Sequence, residues 1–479
     1  MKFTQSDFLK YPADITGYFI SVLFFSLLIS LFSCTNTPKI SSYVSYAGLA
    51  DTLERSLEEE IINVWYPRII DSTYGGYFTN FSATWEKLPR QEKSIVYTAR
   101  HVWTASMLYK QYPDSNQFLD YAMQGFEFMK DHLWDDEYGG YYIVVSQEGD
   151  PMDTLNLEKR IYGQAFAIYG LAEYYSVSKD QEVLDWAKKS FRWIEEHAHD
   201  PENGGYFEFL LRQGAPMLSG DANQVEMSDR LVKGYKDYNS SIHILEALTT
   251  LYNVWPDELV HQRLLEMFHV VRDTMVTEPG FLKLYFHPDW TPVAGDTLDK
   301  NAGENLWFSD HVTFGHDIET AYLIYEAAEA LDMYDEETAA ICKMLVDHTI
   351  RKGWDHDHGG FFEKGKYITP DSLVIIDDHK SWWNQVEALN SLLLMHYLYP
   401  ESDMNYYTYF RSQWVYIDTY LIDHTRGGWY SNGLDTNPGS KDGPKAHNWK
   451  TAYHNGRGMV NCINRLRSLH IGGAHSEQH

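Results

Sequence analysis

A glycine-glycine-aromatic signal recurs along the chain and limits what it can fold into. It stands at Gly75-Gly76-Tyr77-Phe78, Gly139-Gly140-Tyr141-Tyr142 and Gly204-Gly205-Tyr206-Phe207, returns as Gly280-Phe281, and stands again at Gly359-Gly360-Phe361-Phe362 and Gly427-Gly428-Trp429-Tyr430. The copies are roughly 65 to 80 residues apart, longer than common solenoid repeats. An acidic stretch precedes most of them, such as Asp135-Asp136-Glu137 and Asp355-His356-Asp357, and glycine supplies the backbone freedom for a tight turn. Between copies the apolar spacing is helical, as in Phe166, Tyr169, Gly170 and Tyr174, in Ile242, Leu245 and Leu248, and in Ile318, Ala321, Tyr322 and Tyr325. Each repeat has room for two helices and one turn. A helix pair cannot bury its apolar face alone, so the pairs must stack. The six copies, with no polar capping repeat, favour a closed ring over an open array. The expected fold is all-α, an (α/α)6 barrel of six helix pairs joined through Gly-Gly-aromatic turns, with inner helices lining a funnel. No Pro- or Ser-rich linker divides it, so residues 48–470 read as a single domain followed by a polar tail, 471–479.

Charge narrows the ligand. The 479 residues carry 68 acidic against 39 basic side chains, a formal net charge of −29, which argues against nucleic acid because phosphate binding needs a basic face. A neutral substrate such as a sugar fits. Aromatic residues reach 15%, which suits rings stacking on sugar faces as well as a large helical core. The cysteines are Cys34, Cys342 and Cys462, and no disulfide framework is implied.

The N-terminus reads as a targeting segment. Gly17 to Ser33 is uncharged and apolar and follows Lys2 and Lys10, the pattern of a secretory signal. It ends at Leu31-Phe32-Ser33-Cys34, which resembles the lipobox of bacterial lipoproteins. Residues 1–34 are therefore expected to be a lipoprotein signal peptide with Cys34 lipidated, and 35–47 a tether. The expected location is across the inner membrane, lipid-anchored, facing the periplasm or at the outer membrane. The alternative is a single spanning helix, for which the run is at the short limit.

Several segments place polar and aromatic residues on helix faces that should be buried: Tyr97 to Thr104 with Arg100, Asn239 to Ala247, Phe314 to Ala321, Trp382 to Glu387 with its adjacent indoles Trp382 and Trp383, and Trp449 to Arg457. His243 with Glu246, and His316 with Glu319, are spaced i, i+3, so each pair shares a helix face. A carboxylate beside an imidazole orients the ring and is expected to raise its pKa, giving an acid/base near neutrality.

These segments resemble the N-acylglucosamine 2-epimerase superfamily, and within it the cellobiose and mannobiose 2-epimerase branch. The resemblance covers nearly all of the chain after the tether. It rests on FGHDIE at Phe314 to Glu319, on YHN-x-R at Tyr453 to Arg457, and on N-x-x-x-H-x-x-x-E-A from Asn239. The helix that holds Tyr162, Gln164 and Phe166 adds to it. It departs at Ser228 to Lys236, and no role is carried onto Asp229.

The resemblance implies that His316 and His454 form the acid/base pair, with His243 a third essential histidine. Arg100 would hold the sugar oxygen that becomes negative. Trp383 and Trp449 would stack on sugar rings, with Trp382 beside them. Asn239, Glu246, Glu319 and Glu387 would bind hydroxyls or tune the histidines, and Tyr162 would line the pocket. No metal or nucleotide cofactor is implied. The implied reaction is inversion at C2 of the reducing-end sugar of a β-1,4-linked disaccharide, through proton abstraction and return by way of a cis-enediolate. Proton return to C1 would instead give a ketose, the aldose–ketose isomerase alternative. A glycoside hydrolase on the same barrel would need two carboxylates flanking the scissile bond, and the acids here fall in no such pattern. A sugar-binding lipoprotein would not require three histidines with Arg100. His356-Asp357-His358, and His311 with His316, have metal-like spacing, but the former sits in a Gly-rich turn that reads as solvated.

Overall fold

The computed structural model describes residues 45–152, 157–218, 234–293 and 311–476. Cys34 and the apolar run before it lie outside these residues, as do most of the departing loop and the last three residues. Among the described residues no helix is long and apolar enough to cross a membrane.

Twelve helices alternate between two layers among the described residues. The inner layer holds α2 (Ile95–Gln111), α4 (Ile161–Ser178), α6 (Tyr238–Val254), α8 (Phe314–Ala330), α10 (Trp382–Leu398) and α12 (Tyr453–Ser476). The outer layer holds α1 (Tyr46–Ser56), α3 (Gln117–Phe128), α5 (Gln181–His197), α7 (Glu258–His269), α9 (Glu336–Gly353) and α11 (Tyr406–Tyr420). Burial explains the sorting. Every residue of α2 from Ile95 to Leu108 is buried, whereas α5 buries one stripe, Val183, Leu184, Ala187, Phe191 and Ile194. A helix apolar all round goes inside, and one with a single stripe covers it. Asp180, Asp257, Asp335 and Asn405 cap the N-termini of α5, α7, α9 and α11 through their side chains. The inner helices pack in chain order, α12 returns against α2 and α1, and a β-bridge between Phe81 and Ala446 closes the ring. The molecule is an (α/α)6 barrel.

Each Gly-Gly turn leads from an outer helix toward the mouth. Gly139 and Gly140 have φ of 71° and 69°, and a Cβ on Gly140 would lie within 2.9 Å of the Trp193 ring, so both backbone shape and space require glycine. A buried lysine pins five of these turns, a device absent from the sequence reading. Lys93, Lys159, Lys236, Lys380 and Lys445 lie 2.6–3.0 Å from Asp71, Asp135, Asp200, Asp355 and Asp423. The first four also donate to the carbonyl of the turn's first glycine. In the fourth repeat Thr277 and Val312 stand in these two places, so both charges are missing together.

Short strands supplement the helices. β1 (Lys93–Ser94) pairs with β2 (Val144–Val145), β3 (Lys159–Arg160) with β4 (Phe209–Leu210), and β5 (Lys236–Asp237) with β6 (Tyr285–Phe286), all antiparallel. β7 (Val312–Thr313), β8 (Lys364–Thr369) and β9 (Ser372–Asp377) form a three-stranded sheet, a hairpin that the helical reading did not anticipate. These strands hold the N-termini of α2, α4, α6 and α8 at one end of the barrel. The final helix runs to Ser476, so the expected tail continues it.

Candidate active site

The N-terminal turns of the inner helices bring the candidate residues to one cavity. Arg100 comes from α2, Tyr162 from α4, His243 from α6, His316 and Glu319 from α8, Trp382 and Trp383 from α10, and His454 from α12; Trp449 precedes α12. These nine residues line one cavity. Glu246 and Glu387 lie behind the histidines rather than on the cavity wall. Asn239 lines an adjoining chamber of about 630 Å³, which meets the first at Tyr162 and Trp449 and includes Ile143, Arg160 and Glu208.

Each histidine has its own support. His243 Nδ1 lies 2.9 Å from Glu246 Oε2, the expected i, i+3 pair. His454 Nδ1 lies 2.7 Å from Glu387 Oε1, a partner supplied across the barrel by α10. His316 is different from expectation: its Nδ1 faces Thr313 Oγ1 at 3.0 Å and the Tyr238 hydroxyl at 3.3 Å, not Glu319. Glu319 turns instead to Arg457. The Trp383 indole packs beside two of the histidines, 4.6 Å from the His316 ring and 5.8 Å from that of His454, centroid to centroid.

Arg457 organises this layer and was missed in the sequence, although it sits one turn after His454 and Tyr453. Its guanidinium is wholly buried and binds Glu246, Glu319 and Glu387, the last at 2.7 Å. Tyr453 donates to Glu246 at 2.8 Å. Burial would raise the Glu246 carboxyl, but Arg457 and His243 hold it at about 2. Burial, with Glu319 and Glu246 nearby, instead lifts Glu387 to about 8 despite Arg457. The expected upward shift of the candidate imidazoles is corrected here. Burial pushes His316 and His454 well below the ordinary value, aided at His316 by His243 and at His454 by Arg100 and Arg457. Desolvation and nearby cations outweigh the carboxylate partner, so both rings are neutral at neutral pH.

Arg100 is the cation that reaches the cavity. It donates to the Tyr162 hydroxyl at 2.8 Å and lies 4.4 Å from the Phe166 ring centre, so its position is fixed. Trp449 stays half exposed at the junction of cavity and chamber, and Trp382 is buried with an indole N–H that has no hydrogen-bond partner among the described residues. Glu319, Glu387 and His454 could converge on a cation, as could Asp355, His358 and Asp435. Arg457 already bridges the carboxylates of the first group, and Lys380 those of the second. A fixed cation and two neutral imidazoles on one cavity lined by indoles suit proton transfer at a carbon next to a carbonyl.

Comparison with known proteins agrees. Residues 76–455 match the family model "N-acylglucosamine 2-epimerase (GlcNAc 2-epimerase)", and the chain belongs to that family. It is similar to a cellobiose 2-epimerase of Bacteroides fragilis, 28% identical over 87% of this chain and 98% of the relative. The solved cellobiose 2-epimerase of Bacillus thermoamylovorans superposes with a TM-score of 0.73 at 26% identity, over 87% of this chain and 99% of that one. A D-mannose isomerase of Marinomonas mediterranea is 23% identical over 86% and 95% of the two chains. The protein is thus a carbohydrate epimerase/isomerase, of the cellobiose 2-epimerase kind.

Proposed function

We propose that this enzyme inverts C2 of the reducing-end unit of a β-1,4-linked disaccharide of the cellobiose or mannobiose type. The observation that carries this reading is that His316 and His454 line one cavity from different helices, with Trp383 packed beside both. Inversion needs one acid/base on each face of a single carbon. The open-chain aldehyde acidifies the C2 proton. His316, neutral and backed only by hydroxyls, takes it, and the C–H electron pair becomes the C1–C2 double bond of an enediolate. Arg100 stabilises the charge that gathers on O1. His454 then gives a proton to the opposite face of C2 from Nε2, while its Nδ1 is held by Glu387. Glu387, raised to about 8, keeps a proton in that pair at neutral pH, which suits His454 to the donor role in this direction.

The adjoining chamber supports a disaccharide. A reducing-end ring over the histidines leaves room beyond Tyr162 and Trp449 for a second ring, and a monosaccharide would leave that space unused. The likeness to a D-mannose isomerase favours one alternative, in which the proton returns to C1 and a ketose forms.

Proton NMR in D2O tests both. Cellobiose, mannobiose, mannose and N-acetylmannosamine are each incubated with protein from Ser41 onward. Deuterium at C2 with the C2 epimer, lost in His316→Ala and His454→Ala, supports the proposal. A ketose supports the isomerase, cleavage a hydrolase, and no change in any of these sugars counts against the proposal. We propose also that Cys34 carries a lipid that anchors the enzyme outside the cytoplasm, on the strength of the apolar run and lipobox-like sequence before it. Fatty-acid labelling that persists in Cys34→Ser would overturn this.

A further inference from the structure

Two carboxyl groups share one hydroxyl beside the histidine cavity. Ser240 Oγ lies 2.7 Å from Glu208 Oε2 and 2.7 Å from Asp237 Oδ2. All three residues are buried. A hydroxyl has one hydrogen to donate, so it satisfies one of these oxygens, and toward the other it can only accept. One of the two carboxyls must therefore bring a proton. Charge agrees with this count: burial, and then Asp237, raise Glu208 to about 8, and burial raises Asp237.

The group is separate from the histidines but touches what supports them. Glu208 Oε2 also accepts from the backbone N–H of Tyr162 at 3.0 Å, in the first turn of α4, and the Tyr162 hydroxyl in turn accepts from Arg100. Asp237 Oδ1 accepts from the backbone N–H of Ser240 at 3.0 Å and so caps α6, the helix of Asn239 and His243. The fifth repeat provides a control within the fold. There Glu363 holds the place of Glu208 and accepts from Ser381 Oγ at 2.6 Å, but Ser381 itself stands where Asp237 stands, so no second carboxyl meets the hydroxyl. The shared hydroxyl belongs to the seam between α4 and α6.

We propose that Glu208, Ser240 and Asp237 hold one proton in common and act as a positioning latch, fixing the starts of α4 and α6 so that Tyr162, Arg100 and Asn239 keep their places around the substrate. The role in catalysis rests on the functional reading above; the shared proton does not. The charged and titratable groups facing the latch are Arg160 from β3, which also lies 3.5 Å from Glu158, Tyr162 from α4, Tyr238 from α6 and Tyr285 from β6. Lys236 is committed to Asp200. When the proton is lost, two negative charges oppose each other across Ser240, the helix starts part, and sugar binding weakens.

The test follows KM and kcat for C2 exchange from about pH 6 to about pH 9.5, across the range where these groups titrate, in the wild type and Asp237→Asn. Asparagine at Asp237 keeps its oxygen on the Ser240 N–H and donates from its amide nitrogen to Ser240 Oγ, which then donates to Glu208, so it copies the protonated state at every pH. The wild-type KM is expected to rise about threefold or more above about pH 8, and this rise to be absent in Asp237→Asn. The alkaline fall of kcat, which belongs to His454 and Glu387, should be the same in both. A merely structural role would change KM by one factor at every pH, and a parallel rise of KM in both proteins overturns the latch. Infrared difference spectroscopy gives a second readout without turnover. The C=O stretch of protonated carboxyls that is lost as pH rises through about 8 has two sources in the wild type, Glu387 and the latch, and the latch's share is expected to be missing in Asp237→Asn; a band as large as that of the wild type overturns the proposal. If no sugar is exchanged, the functional reading fails and the band alone judges the shared proton. Asp237→Ser, which puts there the residue that the fifth repeat has in the same place, serves the same test should Asp237→Asn not fold.

Discussion

Nδ1 of His454 lies 2.7 Å from Oε1 of Glu387, and that oxygen also lies 2.7 Å from the Arg457 guanidinium. Burial keeps the Glu387 carboxyl protonated up to about pH 8, so the pair holds a proton at neutral pH and loses it as pH rises. If this proton is the one delivered to C2, wild-type kcat falls as pH rises through about 8. Glu387→Gln should abolish that limb and lower kcat about 100-fold or more, with KM little changed, since a positioned acid or base contributes on that scale. Profiles of kcat against pH for the two proteins check this, and a limb that survives in the variant would assign it to another group.

Asp317 makes a prediction about stability alone. Its Oδ1 accepts from the Leu282 backbone N–H at 2.9 Å, while Oδ2 is buried with no hydrogen-bond partner among the described residues. Burial holds this carboxyl well above its ordinary value. The folded state therefore binds a proton that the unfolded state releases above the ordinary carboxylate range, so the wild type loses stability as pH rises. Asp317→Asn keeps the acceptor and cannot ionise. Its Tm is expected to exceed that of the wild type at about pH 9 and to match it at about pH 3, below the unfolded pKa. Thermal melts at the two values decide.

The glycine turns were legible because their reason is local: at φ near 70° and against a tryptophan ring only glycine fits, wherever it falls in the fold. Helix periodicity was legible for the same reason. Partner choice was not. His316 and Glu319 do share a face of α8, yet Glu319 is claimed by Arg457, which is 138 residues away in sequence. His454 finds Glu387 on another helix, and no spacing within α12 could reveal it. The lysine clips were overlooked because lysine is almost never fully buried unless paired, and each partner aspartate lies a repeat element away. Their signal was present: a lysine recurs just before α2, α4, α6 and α10, in each case after an Asp-led Gly-Gly turn. The β8–β9 hairpin departs from the repeat and carried no repeat-based cue.

Those clips predict a non-additive mutant cycle. Lys93 lies 2.9 Å from Asp71, and both side chains are fully buried. Lys93→Met leaves a buried carboxylate without its cation and should destabilise the fold by about 3–5 kcal/mol. The fourth repeat dispenses with both charges through Thr277 and Val312. The double variant Asp71→Thr with Lys93→Val is therefore expected to cost less than the lysine substitution alone. Urea denaturation of the single and double variants measures the coupling. Additive losses would mean that the turn needs the ion pair itself rather than charge balance.

Trp449 stands half exposed where the cavity meets the chamber, with its backbone carbonyl 3.4 Å from Arg100 Nη1. Because that contact uses the backbone, replacing the side chain leaves it in place and isolates the indole. A stacking ring contributes about 0.5–1.5 kcal/mol, so Trp449→Ala should raise KM by about 2- to 12-fold. A second sugar ring crossing this junction would make the loss larger for a disaccharide than for free mannose or glucose. The indole makes no ring contact with His316 or His454 among the described residues, so kcat should stay within about twofold, and Trp449→Phe should recover most of the affinity. Steady-state kinetics on both substrates provide the measurement. Equal losses on monosaccharide and disaccharide would mean that the second ring does not pass Trp449, and would remove the chamber from the argument for a disaccharide substrate.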